Sequence, residues 1–221
     1  MLGAMLGSML STIEGRVVGC LLEKQRTTPE QYPLTLNVLL LACNQSTNRD
    51  PVVTYDEKSA TLGLDDLRGK KLATQIWGAG SRVQKFRHNL LDVYELNPRE
   101  VALLCVLLLR GPQTPVELRT RAERLHPFAA LAEVEETLQG LALMSDPLVR
   151  VLPAGHGQKE KRFVQLLSGE PAFETFAAPA SAPASPTTVT RLETIEASVA
   201  TLTAELVAVR EELARFRKQF E

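Results

Sequence analysis

The side chains that could perform metal or redox chemistry are few and lie far apart in this 221-residue sequence. None of the histidines has a Cys, Asp or Glu partner at metal-ligand spacing. The cysteines form no C-x-x-C motif, and their odd number excludes a complete disulfide framework. We therefore expect no metal and no cofactor, and we expect free thiols buried in apolar helices. The residues concerned are His88, His126, His156, Cys20, Cys43 and Cys105.

Paired carboxylates could carry general acid and base chemistry, and two adjacent pairs occur, Asp65-Asp66 and Glu135-Glu136. Both pairs fall in predicted helices, where neighbouring side chains point about 100° apart. They are better interpreted as solvated helix faces. The sequence also lacks a nucleophile elbow, a phosphate loop and a dinucleotide fingerprint. We expect no catalytic residues and a protein that is not an enzyme.

Clusters of basic side chains could bind the phosphates of duplex DNA. One cluster lies in each of two predicted β-hairpins, and a third lies in a predicted helix between them. The alternative is that each cluster is a solvated charged surface. The candidate nucleic-acid-binding residues are Arg82, Lys85, Arg87, Arg119, Arg121, Arg124, Lys159, Lys161 and Arg162.

The segment from Pro29 to Pro51 is rich in side-chain amides, which can pair with adenine or with peptide backbone. Its candidate binding residues are Gln31, Tyr32, Asn37, Asn44, Gln45, Asn48 and Arg49. Asn and Ser also satisfy the backbone of turns. We therefore expect the stretch from Asn44 to Asn48 to cap local structure.

Apolar periodicity and chain breakers predict three helices and a hairpin in residues 11–95. Ser11 and Glu14 form a capping box at the start of the first helix. On the third helix, Leu62, Leu64 and Leu67 should face inward. The predicted elements are helices from Ser11, over 34–45 and over 56–70, and strands over 72–77 and 82–87.

Residues 96–168 repeat this order, beginning with Asn97-Pro98 at a helix start. The predicted elements are helices over 97–110, 114–124 and 129–144, and strands over 148–152 and 162–167. Three helices followed by a hairpin is the order of a winged helix-turn-helix. We therefore predict an α+β fold with tandem winged-helix domains at 11–95 and 96–168, after a flexible leader at 1–10.

The two halves also align in sequence, which indicates a domain duplication. The offset is 86 in the first part and 71 later, so the first copy would carry about 15 extra residues between its second and third helices (86 − 71). Chance similarity is the alternative. The matched pairs are Glu14 with Glu100, Leu21 with Leu107, Leu22 with Leu108, Thr28 with Thr114, Pro29 with Pro115 and Leu67 with Leu138.

Three segments resemble the signature of the bacterial YceH family. They are L-L-E-K-Q-R-T-T-P-E-Q-Y-P-L-T-L-N with the following A-C-N-Q-S-T-N-R-D-P-V, then G-A-G-S-R-V-Q-K-F, and L-L-L-R-G-P-Q-T-P-V-E-L-R. The resemblance covers about residues 11–170 and implies a tandem winged-helix fold. It implies no activity, because the family has none to carry over. The C-terminal segment lies outside the resemblance, and we interpret it as an addition of this chain.

The C-terminal part consists of a Pro/Ala/Ser-rich linker at 169–189 and a heptad segment at 190–221. Apolar residues in the heptad segment alternate in spacings of three and four, which is typical of a coiled coil. An amphipathic helix packed on its own domain is the alternative. We predict homo-oligomerisation through Leu192, Ile195, Val199, Leu202, Leu206, Val209, Leu213, Phe216 and Phe220.

The charge balance leaves two functions open. The 25 basic and 26 acidic residues give no strong positive excess, and the predicted third helices are rich in Asp and Glu. The fold favours a DNA-associated, transcription-regulator-like protein that binds duplex DNA. The acidic helices favour a protein-protein interaction adaptor, as in the segregation and condensation protein B type. With no membrane span and few cysteines, we expect a cytoplasmic protein.

Overall fold

The computed structural model describes residues 9–77, 83–152 and 160–169. These residues form helices and two small antiparallel sheets, which confirms the predicted α+β class. Most of the predicted leader and linker and the whole heptad segment lie outside the described residues. So do Arg82, His156 and Lys159.

The described residues before Asn97, which we call the first half, contain a long helix, α1, capped as predicted by Ser11 and Glu14. Its strands form one antiparallel sheet in the order β1-β3-β2, with Leu34 opposite Phe86 and Ala73 opposite His88. The elements are α1 (Thr12–Thr27), a 3-10 turn (Pro29–Gln31), β1 (Leu34–Thr35), α2 (Leu36–Cys43), α3 (Glu57–Gly69), β2 (Ala73–Trp77), β3 (Gln84–His88) and α4 (Leu90–Val93).

The second half, from Asn97 onward, has the same order of helices and hairpin strands as the first half, with fewer residues. A single antiparallel bridge between Gln113 and Phe163 takes the place of β1, and β4 pairs with β5. The elements are α5 (Pro98–Arg110), α6 (Pro115–Ala122), α7 (Leu131–Ala142), β4 (Val149–Leu152) and β5 (Arg162–Gln165).

The first helices of the two halves correspond as the sequence offset predicts. Helix α1 begins at Thr12 and α5 begins 86 residues later at Pro98 (12 + 86 = 98), and both start with a capping box. In α5 the box is formed by Asn97 and Glu100. The same local chemistry therefore begins both halves.

The predicted correspondence of Thr28 with Thr114 is wrong. Thr114 caps α6 directly after the bridge at Gln113. Thr35 caps α2 directly after Leu34, and Leu34 pairs with β3, the second strand of the hairpin in the first half. Gln113 pairs in the same way with Phe163 in β5, the second strand of the hairpin in the second half. Thr114 thus corresponds to Thr35. The residues between Thr28 and Leu34 form a 3-10 turn and a link that the second half lacks, so the extra length of the first copy begins earlier than predicted.

Helices α1 and α5 pack against each other at Gly19. A Cβ atom at this position would lie 2.8 Å from Leu109 Cδ2, so the missing side chain permits the close approach. The Cys105 thiol donates a hydrogen bond to the Gly19 carbonyl at 3.4 Å. Buried side chains of both halves consequently belong to one apolar cluster that includes Leu21, Leu22, Leu64, Leu67, Leu104, Leu107 and Leu118.

Two predictions about the first half need correction. Leu62 is 55% exposed, whereas Leu64 and Leu67 are buried as expected, because the buried stripe of α3 follows Ala60, Leu64 and Leu67. Helix α2 begins at Leu36 rather than at Leu34, since the two preceding residues pair with β3 as a short strand. Long-range pairing overrides the local helical pattern there.

Candidate docking groove and arginine crevice

An open groove of about 710 Å³ lies on the second half, between α6, α7 and the β4–β5 hairpin. A capping box between Thr114 and Glu117 fixes the first turn of α6 at its edge. Helix α7 contributes side chains spaced three or four residues apart, and the hairpin contributes a cross-strand pair. The apolar lining residues are Pro115, Val116, Leu131, Ala142, Val151 and Phe163.

The groove combines exposed apolar surface with an acidic rim. Val116 is 53% exposed and Val151 is 39% exposed, although both are aliphatic. Among the described residues, Glu135, Glu160 and Lys161 are the charged side chains that line the groove. Helix α7 as a whole carries three glutamates and no basic residue. A site of this kind favours an apolar segment with positive flanks over a phosphate backbone.

The basic candidates of the first hairpin lie on β3. Lys85 and Arg87 are two residues apart and therefore point to the same face of the strand. Arg87 approaches Asp92 of α4 at 3.6 Å, and both side chains are well exposed. An exposed pair of this kind contributes little to stability. The two cations are thus available to solvent.

The basic candidates of α6 and β5 mostly have partners within the protein. Arg119 donates to the Ala129 carbonyl at 3.1 Å, which directs it towards the start of α7. Arg121 and Arg162 both approach Glu117, at 3.5 and 3.0 Å. Arg124 lies 3.4 Å from Glu23. Lys161 lines the docking groove instead. The predicted candidates therefore do not form one continuous surface.

A second, smaller site lies where α1, α5 and α6 meet, and we call it the arginine crevice. Arg110, Arg121 and Arg124 line it, together with Glu23 and Asn48. Burial lowers the pKa of Arg110, and the positive charge of Arg121 lowers it further. The sequence prediction included Arg121 and Arg124 but missed Arg110, because that residue belongs to a different helix and looks like an ordinary basic helix end.

Beneath the crevice lies a buried ion pair between Glu23 and Arg49. Arg49 donates to the two carboxylate oxygens at 2.6 and 3.3 Å, and its side chain is fully buried. It also donates to the Ala42 carbonyl and to Gln45. Burial, the largest effect, tends to lower the pKa of Arg49, but the hydrogen bonds to Glu23 and the surrounding charge interactions together outweigh it and raise the pKa. Arg49 is therefore a structural cation.

The amide-rich loop between α2 and α3 is held by its own side chains, as predicted. The Asn44 amide donates to the Tyr55 carbonyl and accepts from the Tyr55 amide, both at 2.8 Å. Asn48 has a positive φ of 58° and accepts from Arg110 at 2.8 Å. Pairing with the loop backbone therefore explains Asn44, whereas Gln45 accepts from the Arg49 side chain and Asn48 reaches the arginine crevice.

The histidines and cysteines within the described ranges form no site of their own. His126 stacks edge-on against Phe128, and all three thiols are free and buried. Burial raises the pKa of Cys105 well above its ordinary value, so this thiol is neutral. In these same ranges no group of three or more His, Cys, Asp or Glu side chains could hold a metal ion. No helix there is long and apolar enough to cross a membrane.

The residues of the docking groove were missed by the sequence predictions. Val151 sits in a strand whose middle two residues are both exposed, so the expected alternation breaks down. Val116 follows the helix-starting Pro115 and looks like an ordinary apolar helix residue. Their shared location becomes visible only when α6, α7 and the hairpin are assembled. Glu135 was predicted to be solvated, and it is exposed at the rim.

Comparison with known proteins shows similarity over most of the chain. Residues 10–158 match the model of a family described as "Protein of unknown function, DUF480". A UPF0502 protein of Opitutus terrae is 56% identical over 162 residues, which cover 73% of this chain and 70% of the relative. The relatives carry the UPF0502 name, and the YceH name stays a prediction.

The C-terminal segment is not an addition peculiar to this chain, so that prediction is wrong. A UPF0502 protein of Geobacter sulfurreducens is 49% identical over 217 residues, covering 96% of this chain and 99% of the relative. One of Geotalea uraniireducens is 48% identical over 216 residues, covering 96% and 98%. At that coverage most of the linker and of the heptad segment must be aligned.

Proposed function

The chain belongs to the DUF480 family of proteins of unknown function, and from this premise we propose that it is a non-enzymatic docking protein. In this proposal each half is a winged helix, in which β2–β3 and β4–β5 are the wings. The second winged helix binds protein through the docking groove. The C-terminal heptads set the number of binding sites in the assembly. This assigns the chain to the interaction adaptors rather than to the regulators that read DNA.

The observation that carries the proposal is the docking groove. Concave sites with a mainly apolar lining and a few charged groups at the edge are the usual places where proteins bind other molecules. Here the recess lies between α7 and the second wing, with Val116 and Val151 exposed on its two sides. The groove is long in one direction because α7 lines it over three turns, from Leu131 to Ala142.

The charge of the rim indicates the chemistry of the partner. Glu135 and Glu160 flank the apolar lining, and Glu136 lies beside them on the exposed side of α7. A complementary partner is a segment with spaced aliphatic anchors and flanking Lys or Arg side chains, bound in the manner of an amphipathic helix in a groove. Apolar contacts would supply affinity, and the charges would favour the correct partner.

Association with duplex DNA is the second candidate, and the half-buried Lys85 and Arg87, which share one face of the first wing, favour it. Helix α7 argues against it. In a winged helix this third helix enters the major groove. Glu133 pairs with Arg99 at 2.8 Å, but Glu135 and Glu136 are exposed, so α7 would meet the phosphates with like charge.

Selection from a random displayed-peptide library, with the full-length protein as bait, tests the docking proposal. We expect enriched peptides that carry Lys or Arg around aliphatic residues at helical spacing. Val116→Lys should weaken the binding of these peptides at least about tenfold, because it places a charge on the apolar lining. Glu135→Lys should weaken them by charge reversal.

The matched control is Leu62→Lys, since Leu62 is equally exposed but lies on α3. It should leave peptide binding unchanged. Peptides that bind the Val116 and Leu62 variants equally, or a failure to enrich any sequence, would overturn the proposal. Duplex DNA binding that falls steeply between about 50 and 200 mM salt and is lost in Lys85→Gln would instead support the second candidate.

A further inference from the structure

The arginine crevice carries more positive than negative charge. The positive charge of Arg49, which is fully buried and donates two hydrogen bonds to Glu23, offsets the negative charge of Glu23. Glu117 is shared between Arg121 and Arg162. Burial and the neighbouring arginines lower the pKa of Arg110, against the exposed Asp50, which raises it. Among the described residues that line the crevice, the charged side chains are Arg110, Arg121, Arg124 and Glu23, so positive charge is in excess.

The guanidinium groups of the crevice have more N–H donors than their contacts within the protein use. A guanidinium has five N–H donors, and a planar pair of them matches two oxygens of a phosphate. Arg110 uses one nitrogen on the Asn48 side-chain carbonyl, which is a neutral acceptor. The contacts of Arg121 with Glu117 and of Arg124 with Glu23 are long, at 3.5 and 3.4 Å. A closer anion would compete well with these contacts.

The size of the crevice limits what can enter. Its free space is about 20 Å³, which is enough for a water-sized group. One oxygen of a tetrahedral anion fits inside, with the rest of the group at the mouth among the guanidinium groups. A nucleobase or a sugar ring is too large. The shape thus selects for an anionic group rather than for a whole nucleotide.

We propose that the arginine crevice binds a phosphoryl group between Arg110, Arg121 and Arg124. The ligand is either free phosphate or the backbone phosphate of a nucleic acid, which share this chemistry. A ligand bound there contacts residues at the end of α5, in the loop at Asn48 and on α6, and so links these three elements. Because it binds the folded state alone, it should stabilise the protein. The site is separate from the docking groove, and the proposal does not depend on it.

Thermal unfolding of the full-length protein in sodium phosphate, against sodium chloride of equal ionic strength, tests the proposal. With phosphate at about ten times its Kd, we expect a rise in Tm of about 3–6 °C. The double variant Arg121→Gln/Arg124→Gln should lose most of this rise, measured from its own baseline. Arg110→Gln should lose part of it and supplies a second reading if the double variant unfolds.

Arg119→Gln is the matched control, because Arg119 lies on the same helix but turns to the Ala129 carbonyl. It should keep the full phosphate shift, and so should Val116→Lys in the docking groove. An equal rise in chloride, or a rise that survives in the double variant, would overturn the proposal. Anisotropy with a short DNA duplex then separates the two sources: the crevice variants weaken DNA binding if the ligand is a backbone phosphate, and leave it unchanged if it is free phosphate.

Discussion

His88 is the residue whose protonation the fold constrains most clearly. It is 3% exposed, and its Nε2 lies 2.7 Å from the side-chain oxygen of Gln25. Its Nδ1 accepts from the Leu90 amide at 3.3 Å. A neutral ring protonated on Nε2 satisfies both contacts, whereas a second proton would remove the acceptor. Burial, followed by the positive charge of Arg87, lowers the pKa of His88 to about 4.

Stability should therefore fall in mild acid. The pKa of His88 is about 4 in the folded state, whereas an unperturbed histidine has a pKa of about 6.5, so the unfolded chain binds the extra proton first. The contribution of neutral His88 to the free energy of unfolding should be complete above pH 6.5 and should decrease by about 3 kcal/mol as the pH falls to 4. Below pH 4 this contribution should change no further. Urea unfolding at pH 7, 5.5 and 4 measures this decrease.

The variant His88→Gln isolates the effect from the carboxylates that also titrate in acid. The difference between wild type and this variant should shrink as pH falls. A difference for His88→Gln that stays constant from pH 7 to 4 would contradict the assigned pKa.

Glu23 and Arg49 show how a residue that looks like a ligand-binding group can be structural. Arg49 lies in an amide-rich stretch, which made it a binding candidate in the sequence. In the fold it connects the α2–α3 loop to α1 through Glu23, and the same two terminal nitrogens also donate to the Asn48 carbonyl and to the Gln45 side chain. Breaking a buried pair typically costs about 3–5 kcal/mol, because the remaining charge is left without a partner.

At the scale of the elements, the contact between α1 and α5 depends on Gly19. An alanine there would place its Cβ 2.8–3.2 Å from the side chains of Leu109 and Leu108. Leu109 is buried, so it cannot move into solvent. We expect Gly19→Ala to lower the free energy of unfolding by about 1–3 kcal/mol through overpacking, and urea denaturation would measure it.

Gly140 provides the control for that substitution. It lies near the end of α7, and nothing comes within 4 Å of its Cβ position. Gly140→Ala should stabilise the protein by about 0.5–1 kcal/mol, since alanine favours the helix more than glycine does. If the two alanine variants changed stability in the same direction, close packing at Gly19 would not be the reason for its effect.

Different sides of helix α7 contribute to the core and to the docking groove. Its buried face, through Val134, Leu138 and Leu141, joins the core. The side next to this face presents Leu131, Glu135 and Gln139 to the docking groove. Because substitutions on that side leave the core contacts in place, the docking experiments can separate binding from folding.

At the scale of the whole molecule, the heptad segment predicts an oligomer. Lysines at two of its core positions, in Leu202→Lys/Leu206→Lys, should disrupt apolar packing along the stripe. We expect light scattering after gel filtration to show an oligomer for the wild type and the mass of one chain for the double variant. Ala204→Lys, which lies off the stripe, should remain oligomeric. A wild-type protein with the mass of one chain would refute the prediction.

The sequence by itself determined the local features of this protein. The capping box at Ser11 and the prolines after Asn97 and Thr114 predicted three helix starts, and apolar segments between chain breakers predicted both hairpins. These signals involve residues three or four apart, so they act before any tertiary contact forms. The α+β class and the free, buried thiols followed from the same short-range patterns.

The tertiary structure alone decided which distant residues meet. Strand β1 exists because Leu34 pairs with Phe86, which overrides a local helical pattern. Glu23 reaches Arg49, and Arg110 shares the arginine crevice with Arg124. The docking groove needs α6, α7 and the hairpin together. Burial and pairing depend on how helices and strands pack, and one-dimensional periodicity carries no information about which faces of different elements come into contact.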